Sequence, residues 1–142
     1  MQLSELAAIA EEIAGDKHRF RFVQLPFNLA MTEALTLGNQ NVGGNEKTIM
    51  EGASELGITL VASASLLQGQ VAQNLPAFVA EAFGLENDVE RALQFARSAP
   101  GITTALVGMS RTAHVEANAK LVTVPPADLE QFSKLFSRDE TA

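Results

Sequence analysis

Cysteine, tyrosine and tryptophan are all missing from this chain of 142 residues. Without cysteine there is no disulfide, no thiolate metal site and no thiol nucleophile. No run approaches the roughly 18 apolar residues of a membrane span. Residues 1–30 lack the basic, apolar and small-residue regions of a signal peptide. The expectation is a soluble, cytoplasmic protein with no membrane partner. Basic residues are few: 10 Lys and Arg stand against 17 Asp and Glu, for a net charge of −7. A field of that sign argues against nucleic acid as a partner. The two histidines, His18 and His114, lack metal-ligand spacing, so no metal site is expected.

Familiar chemical motifs are missing too. Gly38-x4-Gly43 begins like a phosphate loop, yet Gly44 and Asn45 stand where lysine and serine or threonine are needed, and Lys47-Thr48 comes too late. Residues 38–45 therefore read as a flexible glycine/asparagine loop. No GxGxxG follows a strand, and no GxSxG elbow occurs.

What the chain does have is apolar side chains, 46% of the total, enough for a core within one domain over residues 1–142. Leu3, Leu6, Ala7, Ala10, Ile13 and Ala14 recur at helical spacing, and Gly15 stops the run. Phe20–Pro26 is strand-like. Asn45 is placed to cap a second helix carrying Ile49, Met50, Ala53 and Leu56, closed by Gly57. Ile58–Ala64 is a buried-type strand. Pro76 opens a short helix to Phe83, and Asn87 with Glu90 makes a capping box for a long helix through Ala96. Ile102–Gly108 is a third buried-type strand. Thr112 is placed to cap a helix to about Val122, and Pro125-Pro126 opens a tail in which Leu129, Phe132, Leu135 and Phe136 share one face.

Strands alternating with helices predict an α/β fold with about three parallel strands, near 20–26, 58–64 and 102–108, joined by right-handed crossovers. Doubly wound sheets and barrels both qualify, and three strands are few for either. In such folds ligands bind at the carboxyl ends of strands. Gln24 and Asn28 lie at the first strand; Ser63, Ser65, Leu66, Gln68 and Gly69 follow the second. Gly108, Ser110, Arg111, His114 and Asn118 follow the third and open a helix. Residues 91–120 also hold Arg91, Arg97, Arg111 and Lys120 against Glu116, a local +3. Two readings stay open: charges spread over solvated helix faces, or a small cationic site at a helix N-terminus for a phosphorylated ligand.

FVQLPFNLAM, GITLVASASLLQGQ and RALQFARSAPGITTALVGMSRTAHVEANAKLV, in that order, resemble the C-terminal half of an aldo-keto reductase over about residues 3–136. The most specific piece is VGMS…HVEAN, in which Gly108 and Asn118 keep the family's spacing. The resemblance implies part of a (β/α)8 barrel that reduces carbonyl compounds with NADPH. The fold expected is a half TIM-type barrel holding the last three strands, their helices and the C-terminal tail. NADP(H) is the implied cofactor, weakly held. By resemblance Gln24 meets the nicotinamide carboxamide, and Ser65, Leu66 and Gln68 line the pyrophosphate loop. Gly108, Ser110, Arg111, His114 and Asn118 belong to the segment that holds the adenine and the 2′-phosphate. Many relatives carry a basic residue where Ser110 stands; here the arginine comes one place later. The family's Asp-Tyr-Lys-His tetrad lies on the first four strands, and its tyrosine acid has no counterpart in this sequence. No catalytic residue is assigned, and no reductase activity is expected from this chain alone.

Three functions follow as expectations. One is a half-barrel that keeps part of a dinucleotide site. Another is a non-enzymatic oligomeric interaction protein. The third is a subunit completing an oxidoreductase site with a complementary half-barrel chain. Three strands leave two open edges and a face expected to carry Val23, Leu25, Leu60, Ala62, Ala105 and Val107. Burying about 500 Å² of such surface is worth about 12 kcal/mol, so a homodimer is expected. The alternative cover is the 29–45 loop or the C-terminal helix, through Phe132, Leu135 and Phe136.

Overall fold

The first helix stops where glycine lets it stop. Helix α1 (Leu3–Ala14) ends at Gly15, whose φ of 58° places it outside the range most side chains accept. A short 3-10 helix, Gly15–Lys17, then leads into strand β1 (Phe22–Pro26). The computed structural model describes residues 1–136; positions 137–142 of the expected domain lie outside the described residues. After β1 come α2 (Glu33–Thr36), strands β2 (Gln40–Val42) and β3 (Asn45–Lys47), helix α3 (Ile49–Glu55) and strand β4 (Thr59–Ser63). Helices α4 (Ala77–Phe83) and α5 (Asp88–Ser98), strand β5 (Ile102–Ala105), and helices α6 (Thr112–Ala119) and α7 (Leu129–Ser133) complete the order.

Strands β1, β4 and β5 form a parallel sheet in the order β1-β4-β5, with Phe22 opposite Thr59 and Pro26 opposite Ser63. All three expected strands are present but shorter than the apolar runs, because the ladder ends where partner strands run out. Leu106 still donates its N–H to the Ala62 carbonyl at 2.8 Å, and beyond it residues 107–110 leave the sheet. The helix α3 to β4 turn explains why the second strand starts so abruptly. Gly57 N–H donates to Ser54 O and Ile58 N–H to Ala53 O, the two bonds that close a helix through a left-handed glycine.

Successive strand residues face opposite sides, and the parity corrects an expectation. Leu25, Leu60 and Ala62 are buried against the helices, together with Leu3, Phe27, Met50, Ala53, Phe95 and Phe132; Val23 and Ala105 pack against the same cluster. The open face instead carries exposed Phe22, Gln24, Pro26 and Thr104 and half-buried Thr59, Val61 and Ser63. It is therefore mixed in polarity, because the most apolar strand positions are those the helices cover. The loop and the tail expected as alternative covers pack instead with the apolar side chains expected to be open. Phe95 stacks between Phe27 and Phe132, at centroid distances of 5.2 Å to each, so the tail closes the helical side. Leu29 and Leu35 of the loop after β1 pack there as well.

Residues 38–45 are not a flexible loop. They contribute most of a β2–β3 hairpin turned by Gly43 and Gly44, with φ of 61° and 81°, the pair of positive angles that a two-residue hairpin turn requires. Val42 is buried against α3 so closely that a Cβ on Gly52 would sit 3.2 Å from its Cγ2. The hairpin also completes α1. Gln40 Oε1 accepts the Leu3 N–H at 3.0 Å, and Gln2 Nε2 donates to Asn39 O at 2.8 Å. Since Asn45 is spent in β3, the cap of α3 is Thr48, in a reciprocal box with Glu51. These hydrogen bonds from Thr48 hold the Glu51 carboxyl below its usual pKa. Thr112 likewise lies inside α6; the cap position is Arg111, which offers no side-chain acceptor.

Candidate functional site

The carboxyl ends of β4 and β5 open into a cleft of about 930 Å³. One wall comes from the segment after β4, where Ser65, Leu66, Gln68 and Gly69 line it. Another comes from Gly108, Ser110 and α6, which contributes His114 and Asn118. The structure thus brings most of the sequence-derived candidates to one cavity. Of the residues that the resemblance assigns to the cofactor, two stay outside it. Gln24 lies exposed on the open sheet face, opposite Val61, and Arg111 is exposed at the start of α6.

The first wall is built from costly backbone. Ala64, Leu67 and Gln68 all adopt φ between 44° and 54°, a conformation that costs a non-glycine residue of order 1 kcal/mol or more. Several hydrogen bonds hold them there. Leu67 N–H donates to Ala64 O at 2.8 Å, and Gly69 N–H donates to Leu66 O at 2.7 Å. Asn28 fixes the start of the segment. Fully buried, it donates from Nδ2 to Ala64 O at 3.0 Å and accepts the Ala30 N–H on Oδ1 at 2.9 Å. Asn28 is thus a brace for the wall, with both ends of its amide committed, and Ser63 stays in the strand.

Several polar groups of the cleft are uncommitted. Ser65 is 1% exposed, and its buried Oγ has no hydrogen-bond partner. The side chains of Gln68, Ser110, His114 and Asn118 make no hydrogen bond to other described residues. A buried hydroxyl left without a partner costs about 1–3 kcal/mol. Such a cost concentrated in a cavity is what a ligand donor or acceptor would relieve.

Sequence reasoning missed the third wall, formed by Asn87, Val89 and Glu90 at the start of α5. Asn87 and Glu90 were legible only as a cap. Asn87 Oδ1 does accept the Glu90 N–H at 3.0 Å, but the Glu90 carboxylate turns to the Glu86 N–H at 3.2 Å. Its second oxygen has no hydrogen bond among the described residues. The signal that could have found this wall is the short α4, which returns the chain so that α5 begins beside the strand ends.

Two of the cations counted along residues 91–120 are committed elsewhere. Arg91 is bound to Asp88 at 2.8 Å and to Leu85 O at 2.5 Å. Arg97 donates to Gln94 Oε1 at 2.8 Å and to Val124 O at 2.6 Å, and burial pushes its pKa down. Both arginines are fasteners of α5. The Asp88 carboxyl is held below its usual pKa first by the Leu75 N–H, at 3.1 Å, and then by Arg91. Arg111 and Lys120 are exposed outside the cavity, so no lysine or arginine lines it. Among the described residues no cluster of three or more His, Asp or Glu could hold a metal, and no helix is long and apolar enough to cross a membrane.

Solved structures share this arrangement of strands and helices. The holo form of the aldo-keto reductase AKR11C1 from Bacillus halodurans superposes with a TM-score of 0.61 at 15% identity, over 92% of this chain and 46% of that one. The thermostable aldo-keto reductase Tm1743, in complex with the inhibitor epalrestat, gives 0.63 at 17%, over 88% and 42%. The chain has the fold of about half an aldo-keto reductase. The apo form of the Bacillus halodurans protein gives 0.59 at 15% identity, again over 92% and 46%. The chain therefore spans less than half the length of these reductases. No protein-family model and no curated protein matches its sequence.

Proposed function

We propose that this chain is a reductase-type half-barrel that keeps part of a nicotinamide–adenine dinucleotide site and does not reduce carbonyls by itself. The observation that carries the reading is the cleft. A buried, unpartnered Ser65 hydroxyl and the free side chains of Gln68, Ser110, His114 and Asn118 converge there between apolar residues of three walls. These groups fit an adenosine and a pyrophosphate: neutral donors and acceptors for base and sugar, apolar walls for the ring, and a braced loop for the phosphates. Ser65, Leu66 and Gln68 would face the pyrophosphate, and His114 and Asn118 the adenosine. When bound, such a cofactor supplies a hydride. A proton donor of the tyrosine kind is not encoded, since the sequence contains no tyrosine.

Thermal melting of the chain with NADH or NADPH tests the reading. A ligand at 100 times its dissociation constant stabilises the native state by about 2.7 kcal/mol. We expect a rise in Tm at millimolar dinucleotide that Asn118→Ala removes. No rise with either dinucleotide would refute the site.

A second reading concerns partners and has its own observation. The outer edges of β1 and β5 have no strand beside them among the described residues, and Phe22 is 68% exposed on the open face. A second copy of the chain, or a complementary half-barrel, would pair those edges and cover that ring. Sedimentation at micromolar concentration separates the cases: a sharp monomer of about 15 kDa, with the mass fixed by the sequence, argues against the second copy.

A further inference from the structure

We infer that the cleft discriminates between dinucleotides, taking those whose adenosine ribose carries a free 2′-hydroxyl and disfavouring those with a 2′-phosphate. The inference rests on the proposed dinucleotide reading and deepens it by naming the ligand form. Its basis is the charge of the walls. Glu90, 7% exposed, is among the residues that line the cavity, and one oxygen of its carboxylate is uncommitted. No lysine or arginine lines the cavity, so no permanently cationic side chain stands on its walls beside that carboxylate. The arginines that charge counting places nearby are elsewhere. Arg91 and Arg97 are tied to α5 and its surroundings, and Arg111 stands exposed outside the walls.

A phosphomonoester carries about −1.5 to −2 at pH 7. Placed in a cleft lined by one carboxyl side chain and no lysine or arginine, it meets repulsion that a hydroxyl does not. Screening is weak over the dimensions of such a cavity, because the Debye length in ordinary buffer is about 8–10 Å. A carboxylate with a free oxygen is also a good acceptor for sugar hydroxyls, the pairing by which acidic residues select the unphosphorylated ribose in other dinucleotide folds. Beside His114, the remaining free groups Gln68, Ser110 and Asn118 are amides and a hydroxyl, which suit hydroxyl and amine partners better than a dianion.

The experiment titrates the 142-residue chain with NADH and NADPH by calorimetry, beside Glu90→Gln and Arg111→Ala. The Gln variant removes the charge while keeping an oxygen that can accept the Glu86 N–H. We expect NADH to bind about tenfold more tightly than NADPH, and Glu90→Gln to narrow that ratio to about threefold or less. Arg111→Ala should leave the ratio unchanged. If Glu90→Gln fails to fold, raising the salt from about 0.05 M to 0.5 M on the unaltered chain gives the same information, because screening should shrink the deficit of NADPH. Equal or tighter binding of NADPH overturns the inference and leaves the dinucleotide reading standing. An NADPH preference that disappears in Arg111→Ala overturns it in favour of that arginine as a 2′-phosphate clamp. Binding of neither dinucleotide overturns the underlying reading and the inference with it.

Discussion

Helices α5 and α6 precede and follow the same strand, yet their attachments differ sharply. Helix α5 buries Ala92, Leu93, Phe95 and Ala96 in the helical core, and its polar members Gln94 and Arg97 hold the tail through Pro125 O and Val124 O. Helix α6 buries no residue; Val115 is 47% exposed. Its anchorage comes from the turn that follows, where Leu121 is buried. The difference separates two tasks within one βα arrangement. Helix α5 spends its side chains on cohesion, and α6 keeps His114 and Asn118 free toward the cleft. At the first turn of α5, through Glu90, the packed core and the cleft wall meet.

Substitutions in the two helices can break this contrast. The largest effect is expected for Phe95→Ala, which removes the ring between Phe27 and Phe132. Emptying such a site costs about 3–5 kcal/mol, visible as a large fall in the denaturant midpoint. A loss below about 1 kcal/mol would mean that α5 is not the keystone of the core. Asp88→Asn should act more weakly and with a defined pH dependence. The folded-state pKa of Asp88 is lowered, so its contribution is present above the unfolded value of about 3.9 and fades as pH falls through the lower folded value. The variant should melt below the parent at pH 7 and together with it near pH 2. A constant gap across that range would remove the charge from the explanation. The smallest stability change belongs to α6. His114→Ala should alter stability by no more than about 0.5 kcal/mol while weakening dinucleotide binding in the same melts. A large destabilisation would show α6 to be as load-carrying as α5.

Much of the fold was legible because its signals were local. The alternation of apolar runs and helical periodicity, the stop at Gly15 and Gly57, and the Asn87 cap each depend on neighbours within a few residues. The candidates Ser65, Leu66, Gln68, Gly108, Ser110, His114 and Asn118 could be grouped because parallel strands deliver their carboxyl ends to one side. What escaped depends on contacts across the chain. The hairpin was missed although Gly43-Gly44 is a strong turn signal, because strands of three residues carry too little alternation to be seen. The sheet faces were read with the wrong parity, since a buried-type strand is apolar on both sides and only packing shows which side the helices take. The charge cluster misled for a similar reason. A count of arginines along the sequence does not reveal that Arg91 and Arg97 are bound to carbonyl oxygens as well as to side chains. Gln24 and Arg111 lie outside the cleft, one on the open sheet face and the other at the start of α6.

The junction between Gln40 and the start of α1 bears on the order in which the chain can mature. Leu3 N–H finds its acceptor on a side chain 37 residues later, while Gln2 offers no cap of its own. During synthesis the first helix emerges with its leading turn open to water, and that turn is completed only after the hairpin residues have left the ribosome. An isolated helix of 12 residues is marginal in water. The earliest-made segment of the fold is thus among the later ones to become firm. Sheet pairing of β1 with β4 must also await residues 59–63.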